Sequence, residues 1–198
     1  MKNKLITQAE EIILPQADVF DSWQIIKAKM ASHIPEVIKW TKYLSKKAPE
    51  ANIEIVLLGA WLHDCGLIMG RDFLTTDHAI LGEIRAREIL LSLGAREELI
   101  KSVTHIVRCH RNRDVEPETI EAKIVVAADS TAHFTDGTHE SIMTDERLGG
   151  MRERAKFVLA KLERDWRDVN QFSFLAKKLE KSYLKKRKKL FSIAGCII

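Results

Sequence analysis

Residues 55–62 are the feature of the sequence that most constrains the fold, because all eight are uncharged and apolar. A helix that is apolar on every side has to be surrounded by other elements, so this one is expected at the centre of the protein. Eight residues are too few to cross a membrane, which takes roughly 18–20. Asn52 before the run can cap such a helix, and Gly66 after it can end it.

The rest of the chain has the pattern of helices joined by short polar segments. Its 198 residues include only 9 Gly and 4 Pro, and no long stretch alternates apolar and polar residues as half-buried strands do. An apolar content of 45% with 30% charged residues excludes a disordered chain. The sequence therefore predicts an all-α fold, a single-domain helical bundle over residues 1–198.

Local signals predict several helix boundaries. Pro15 is expected to stop the first helix, because proline lacks the amide hydrogen that a helix interior requires. Asp21 and Ser32 are expected to cap the next two helices. Two longer, highly charged helices are expected over residues 145–167 and 172–190.

Cysteine usage and the first residues indicate a compartment. Cys65, Cys109 and Cys196 are odd in number and far apart in sequence, which argues against a disulfide framework and for a reducing environment. The N-terminal residues lack the apolar stretch of a signal peptide. A cytoplasmic location is therefore expected.

Charge is divided unevenly along the chain. Residues 177–198 carry eight Lys or Arg and one Glu, so this segment has a net charge of +7 and the remainder −3, within a total of +4. A uniformly basic nucleic-acid binder would not divide its charge in this way. The C-terminal helices, residues 140–198, thus end in a basic tail. It either contacts an anionic partner such as lipid or nucleic acid, or packs as a terminal helix with a solvated lysine face.

Histidine and aspartate side chains occur where predicted helices begin or end. His63 and Asp64 end the central apolar helix, and Asp129 ends another apolar run. A charge there is costly unless it is paired or bound to a metal. The alternative is that Asp64 caps a neighbouring helix and His63 hydrogen-bonds a carbonyl group.

Imidazole and carboxylate ligands together suit a divalent transition metal, Mn, Fe, Co, Ni or Zn, better than Ca²⁺ or Mg²⁺. Four of the candidate ligands suffice for one ion, and all six suffice for two ions with Asp64 as the bridge. The six candidates, each near the end of a predicted helix, are His33, His63, Asp64, His78, His110 and Asp129.

The order of these segments resembles the HD superfamily of metal-dependent phosphohydrolases, whose pattern is a His, a His-Asp doublet and a distal Asp. Residues 57–66 are similar to the family's apolar helix that ends in His-Asp-apolar-Gly. Residues 77–84 and 106–110 resemble the segments that supply two further histidines in two-metal members. The resemblance covers about residues 20–135, the expected HD-type metal-binding core.

This resemblance implies an enzyme that cleaves a phosphoester or phosphoanhydride of a nucleotide or related small molecule with metal-activated water. Asp64 is the candidate catalytic residue, which would bridge the ions or orient the attacking water. Arg71, Arg111 and Arg113 are candidates for binding substrate phosphates; alternatively, they are solvated loop charges. Small stand-alone diadenosine-tetraphosphate hydrolases are the members that the pattern resembles most.

Two other functions stay open at this point. One is a regulatory module that binds a nucleotide or metal without turnover, and the other is an interaction protein that acts through its basic tail. The complete ligand set favours the enzyme. Its expected partner is a phosphorylated small molecule, with a nucleotide as the favoured kind. A homo-oligomer is also left open.

Two further histidines are not among the six candidate ligands. His133 lies one helical turn after Asp129 and shares its face, so it could support the ligands, although a packing role is favoured. His139 lies in a polar turn and is expected to be solvated.

Overall fold

The structure, a computed structural model, describes residues 3–23, 29–70, 72 and 75–195. Within these residues it contains α-helices and no strand, which confirms the all-α prediction. The helices are α1 (Lys4–Trp23), α2 (Met30–Ser45), α3 (Ile53–Leu62), α4 (Cys65–Ile68), α5 (His78–Ser92), α6 (Glu97–Cys109), α7 (Ile120–Thr135), α8 (Thr138–Met143), α9 (Met151–Val169) and α10 (Ser173–Ala194).

Helix α3 lies at the centre of the bundle, as its apolar sequence predicts. It packs against α1, α2, α6 and α7, and Leu58, Ala60 and Leu62 have no exposed surface. The Asn52 side chain accepts hydrogen bonds from the backbone N–H groups of the first turn, so the predicted cap is confirmed. Because the second half of α3, residues 58–62, is buried, the residues that follow it lie inside the protein.

Neighbouring helices bring further chain ends to the same region. Helix α2 packs on α7, α5 packs on α4 and α6, and the α9–α10 pair packs on α7 through α9. The contact between α4 and α5 is a backbone contact. A Cβ atom built at Gly66 would lie 2.0 Å from the carbonyl oxygen of His78 and 2.3 Å from the amide nitrogen of Gly82. Only glycine allows this approach.

The predicted end of the first helix at Pro15 is wrong. Helix α1 continues to Trp23 with Pro15 inside it. Ala17 and Phe20, beyond the proline, are almost completely buried. The free energy gained by burying this second half offsets the backbone hydrogen bond that proline removes.

The predicted caps of the next helices are also corrected. Asp21 does not begin a helix; its carboxylate accepts hydrogen bonds from the backbone N–H groups of Met30 (2.7 Å) and Ala31 (3.0 Å). It therefore caps α2 from the end of α1. Ser32 lies inside α2, which begins two residues earlier.

The C-terminal helices differ from the predicted ranges in a similar way. Residues 145–167 were predicted as one helix, but a 3₁₀ turn at Glu146–Leu148 precedes α9. On α10, Leu175, Leu179 and Leu190 are buried, and the Tyr183 ring stacks on Trp166 of α9 with 4.2 Å between centroids. The apolar face of the basic tail is thus packed within the fold, and an anionic partner for its lysine face stays a prediction.

Two further observations concern the predicted compartment. Cys65 and Cys109 are buried and free, whereas Cys196 lies outside the described residues. In the described part of the chain, no helix combines the length and the apolar character that crossing a bilayer requires.

Candidate metal centre

The six predicted ligands meet at one place, where α2, α5 and α7 approach the C-terminal ends of α3 and α6. A cavity of about 350 Å³ opens beside them. His33 lies in the first turn of α2, and His78 is the first residue of α5. His63 and His110 directly follow α3 and α6. Helices that are distant in sequence therefore deliver their side chains to a common point.

Asp64 occupies the middle of this cluster. Its Oδ2 atom lies 3.3 Å from Nε2 of His63 and 4.0 Å from Nε2 of His33. Its Oδ1 atom lies 3.4 Å from Nε2 of His110 and 3.6 Å from Nε2 of His78. Each carboxylate oxygen thus faces its own pair of imidazoles, which is the arrangement that a carboxylate bridging two ions requires.

Asp129 adds a second carboxylate to one of these groups. Its Oδ1 atom lies 3.1 Å from Nε2 of His33 and 3.9 Å from Nε2 of His63. Ligand atoms about 2.1 Å from a shared ion are about 3–3.5 Å apart. We call His33, His63, Asp64 and Asp129 the first ligand group. Asp64, His78 and His110 form the second ligand group, whose ligand atoms all lie within 4.8 Å of one another.

Backbone carbonyl groups fix the orientation of two imidazoles. Nδ1 of His63 lies 2.8 Å from the carbonyl oxygen of Ala60, and Nδ1 of His110 lies 2.6 Å from that of Val107. Each Nδ1–H donates to its carbonyl, so the Nε2 lone pair points at the cluster. Asp64 precedes α4 but makes no capping hydrogen bond with its side chain, so helix capping does not account for its burial.

One buried atom indicates most directly that the cluster fits a cation. Nε2 of His63 is inaccessible to solvent and faces the carboxylates of Asp64 and Asp129, yet among the described residues it makes no contact with hydrogen-bond geometry. A buried polar atom without a partner is costly, and a bound ion removes that cost. Two carboxylates facing four imidazole nitrogens form a donor set suited to divalent transition metals.

The charges of the cluster shift its pKa values in different directions. Burial would lower the pKa of His33, but hydrogen bonds with Asp129 and Asp136 outweigh it and raise that pKa to about 10. Burial lowers the pKa of His78 to about 4. Burial acts to raise the pKa of Asp64, yet the charge of His63 holds it well below its usual range. At neutral pH, His33 therefore carries a proton in the metal-free protein, whereas His78 does not.

Metal binding to the first ligand group is expected to release at least one proton at pH 8. His33, whose pKa is about 10 when no metal is bound, must lose its proton before Nε2 can act as a ligand. Titration calorimetry with Mn²⁺ in two buffers of different ionisation enthalpy measures this release. The release should fade as the pH rises through 10. Binding enthalpies that are equal in both buffers at pH 8 would contradict the prediction.

His133 lies beside the first ligand group. The Lys161 ammonium lies 2.9 Å from Nδ1 of His133 and 3.1 Å from Oδ1 of Asp165. An ammonium group can only donate, so Nδ1 accepts this hydrogen bond. The Nε2 atom of His133 lies 3.3 Å from Oδ1 of Asp129. It also lies within reach of an ion held by His33 and Asp129.

The prediction that His139 is solvated is wrong. Its residue exposure is 2%, and its Nε2 atom lies 2.8 Å from Oδ2 of Asp165. Asp165 is itself buried, and it connects His139 to His133 and Lys161. Sequence reasoning missed this network because Lys161 and Asp165, four residues apart in a charged helix, have the spacing of an ordinary surface ion pair.

The candidate substrate-binding arginines differ in their surroundings. Arg111 lines the cavity and pairs with Asp77, the capping residue of α5. Arg113 lines the same cavity and is exposed. Arg71 lies outside the described residues. Arg164 of α9, which the sequence did not single out, also lines the cavity.

Comparison with known proteins identifies the family. The HD domain model matches residues 30–133, just over half of the chain. The chain therefore belongs to the HD domain superfamily, whose members are metal-dependent phosphohydrolases. Ribonuclease Y from Fusobacterium nucleatum subsp. nucleatum is 33% identical over 122 residues, 60% of this chain. The chain spans about 22% of the length of that curated relative. No solved structure matches the chain significantly.

Proposed function

We propose that the protein is a metal-dependent phosphohydrolase that cleaves a phosphoester or phosphoanhydride bond of a nucleotide or related small molecule. The observation that carries this proposal is the position of Asp64, whose two oxygens face two separate sets of histidines beside one cavity. Asp64 would bridge two divalent ions held by the first and second ligand groups. When bound, such ions lower the pKa of water and neutralise phosphoryl charge.

The residues around the two ligand groups support the orientation of the ligand side chains. The carbonyl groups of Ala60 and Val107 hold the imidazoles of His63 and His110, and His133 lies beside Asp129. Arg111 lies beside His78, and its positive charge contributes to lowering the pKa of that imidazole. A guanidinium there can donate two parallel hydrogen bonds to the oxygens of a substrate phosphate. The chain's own residues therefore supply orientation and positive charge.

The size of the cavity supports a small substrate. Its volume of about 350 Å³ lies at the lower end of the range for small-molecule sites, about 300–1,000 Å³. A phosphodiester of RNA is a second candidate substrate. Its support is the 33% identity to Ribonuclease Y over 122 residues.

A substrate screen tests the proposal. Metal-free protein is given Mn²⁺, Fe²⁺, Co²⁺, Ni²⁺ or Mg²⁺ singly, together with nucleotides, simple phosphate esters or a short RNA. Hydrolysis with a transition metal is the expected result. Protein that binds metal but hydrolyses none of these compounds would instead support the non-catalytic regulatory module.

The His78→Ala variant is expected to bind one metal equivalent where the wild-type protein binds two. His78 contributes its Nε2 atom to the second ligand group only, so its loss leaves that group with Asp64 and His110. Metal content of dialysed protein, measured by mass spectrometry, gives the count. His105→Ala is the matched control, because His105 is not among the residues that line the cavity. One equivalent in both wild type and His78→Ala would contradict a two-metal centre.

A further inference from the structure

Two arginines of the cavity wall have no ion-pair partner among the described residues. Arg113 follows α6, and Arg164 lies in the middle of α9; both line the cavity beside the metal centre. Neither forms a hydrogen bond or an ion pair with any residue of the described ranges. Arg113 is exposed and Arg164 is half-buried, so neither guanidinium charge is neutralised by a direct contact with a carboxylate.

The other charged groups near these arginines already have partners. Arg111 pairs with Asp77, and Lys161 pairs with Asp165. The buried carboxylate of Asp168 accepts hydrogen bonds from the side chains of Asn112 (2.8 Å) and Ser130 (3.1 Å). It also lies 3.3 Å from Nε of Arg167. The Asp165 and Asp168 carboxylates of this wall are therefore engaged elsewhere. Asp77 and Asp114 act on Arg113 as nearby charges but not as ion-pair partners.

The positive charge of Arg164 acts on Arg113. Burial lowers the pKa of Arg113, and the positive charges of Arg164 and Arg111 lower it further. The charges that act on Asp64 and Asp129 come mainly from histidines of the cluster. The arginine pair is thus a local concentration of positive charge beside the metal centre, and an anion placed between the two guanidinium groups would relieve the repulsion.

We propose that Arg113 and Arg164 form a second phosphate-binding subsite, which binds a phosphate group other than the one at the metal centre. This inference rests on the proposed function and narrows it: the preferred substrate carries at least two phosphate groups. The planar guanidinium matches phosphate oxygens bidentately. Because α9 lies beyond residues 30–133, the part that matches the HD domain, substrate choice would depend on a helix outside the family's shared core.

A binding experiment tests the subsite without catalysis. The 198-residue chain is freed of metal, dialysed, and titrated with inorganic pyrophosphate in a calorimeter. Arg164→Gln and Arg113→Gln are each expected to weaken binding about tenfold or more, the effect of losing a charge-assisted hydrogen bond. Lys156→Gln is the matched control, because Lys156 lies on the same helix and is exposed. It should bind as the wild type does.

If both arginine variants bind pyrophosphate with a Kd within twofold of the wild-type value, the subsite is overturned. It is also overturned if the wild-type protein does not bind pyrophosphate. Circular dichroism of each variant checks that the helical content is retained. The charge change in the control is the same as in the arginine variants, so a general electrostatic effect would weaken all three equally and would also overturn the proposal.

A kinetic experiment then tests substrate choice. With Mn²⁺ bound, kcat/KM is compared for a nucleoside diphosphate and the corresponding monophosphate. Arg164→Gln is expected to lower the diphosphate-to-monophosphate ratio about tenfold, mainly through the KM of the diphosphate, while Lys156→Gln leaves the ratio unchanged. An unchanged ratio in Arg164→Gln would overturn the substrate class. If the wild type hydrolyses neither compound but pyrophosphate binding depends on both arginines, the subsite stands and the proposed hydrolase function fails.

Discussion

Replacing Asp64 with Asn is expected to lower hydrolysis by at least about 10²–10³-fold, the usual effect of removing a group that stabilises charge at a reacting centre. The substitution keeps the size of the side chain and removes its charge. Because the two oxygens of Asp64 face both ligand groups, both groups lose an anionic ligand together. Metal content should fall sharply, and activity on any substrate that the screen identifies should be lost with it.

Asp168→Asn is the matched control for metal content. Asp168 is a buried aspartate that lines the same cavity, but its carboxylate interacts with Asn112 and Ser130 and not with the histidines of the cluster. This variant should retain the metal content of the wild type. A wild-type rate in Asp64→Asn, or equal metal loss in both variants, would show that Asp64 does not have the role proposed for it.

The Gly66→Ala variant is expected to lose at least about 3 kcal/mol of the free energy of unfolding, the upper part of the range for overpacking a buried site. The new Cβ would lie 2.0 Å from the carbonyl oxygen of His78 and 2.3 Å from the amide nitrogen of Gly82. Both neighbours are backbone atoms, so rotation of a side chain cannot relieve the contact. Helix α5 has to move away from α4, and His78 moves with it, away from Asp64.

Urea unfolding of the metal-free protein, followed by circular dichroism, measures this loss. Gly150→Ala is the control, because the nearest atom to its new Cβ, at 2.9 Å, is the carboxylate oxygen of the flexible Glu153 side chain. The free energy of unfolding should change there by less than about 1 kcal/mol. The close packing of α4 on α5 would be contradicted by equal unfolding midpoints for Gly66→Ala and the wild type.

Local sequence was sufficient for the centre of the fold and for the positions of the candidate ligands. The run over residues 55–62 is apolar on every side, so it could be stable only inside a bundle, and α3 is found there. The Asn52 cap depends on residues within one helical turn. A charged doublet, His63 and Asp64, directly after such a helix has to be buried, and burial of charge is what indicates a site.

Tertiary structure alone decided which charges face that site. The chain was expected to end its first helix at Pro15, but Ala17 and Phe20 pack into the core and α1 continues. Likewise, charged residues three or four apart on a helix look the same in sequence whether they face water or a cavity. Packing of α9 on α7 turns Lys161 and Arg164 toward the metal centre. Contacts between residues so far apart in the chain depend on how helices pack, which no local pattern encodes.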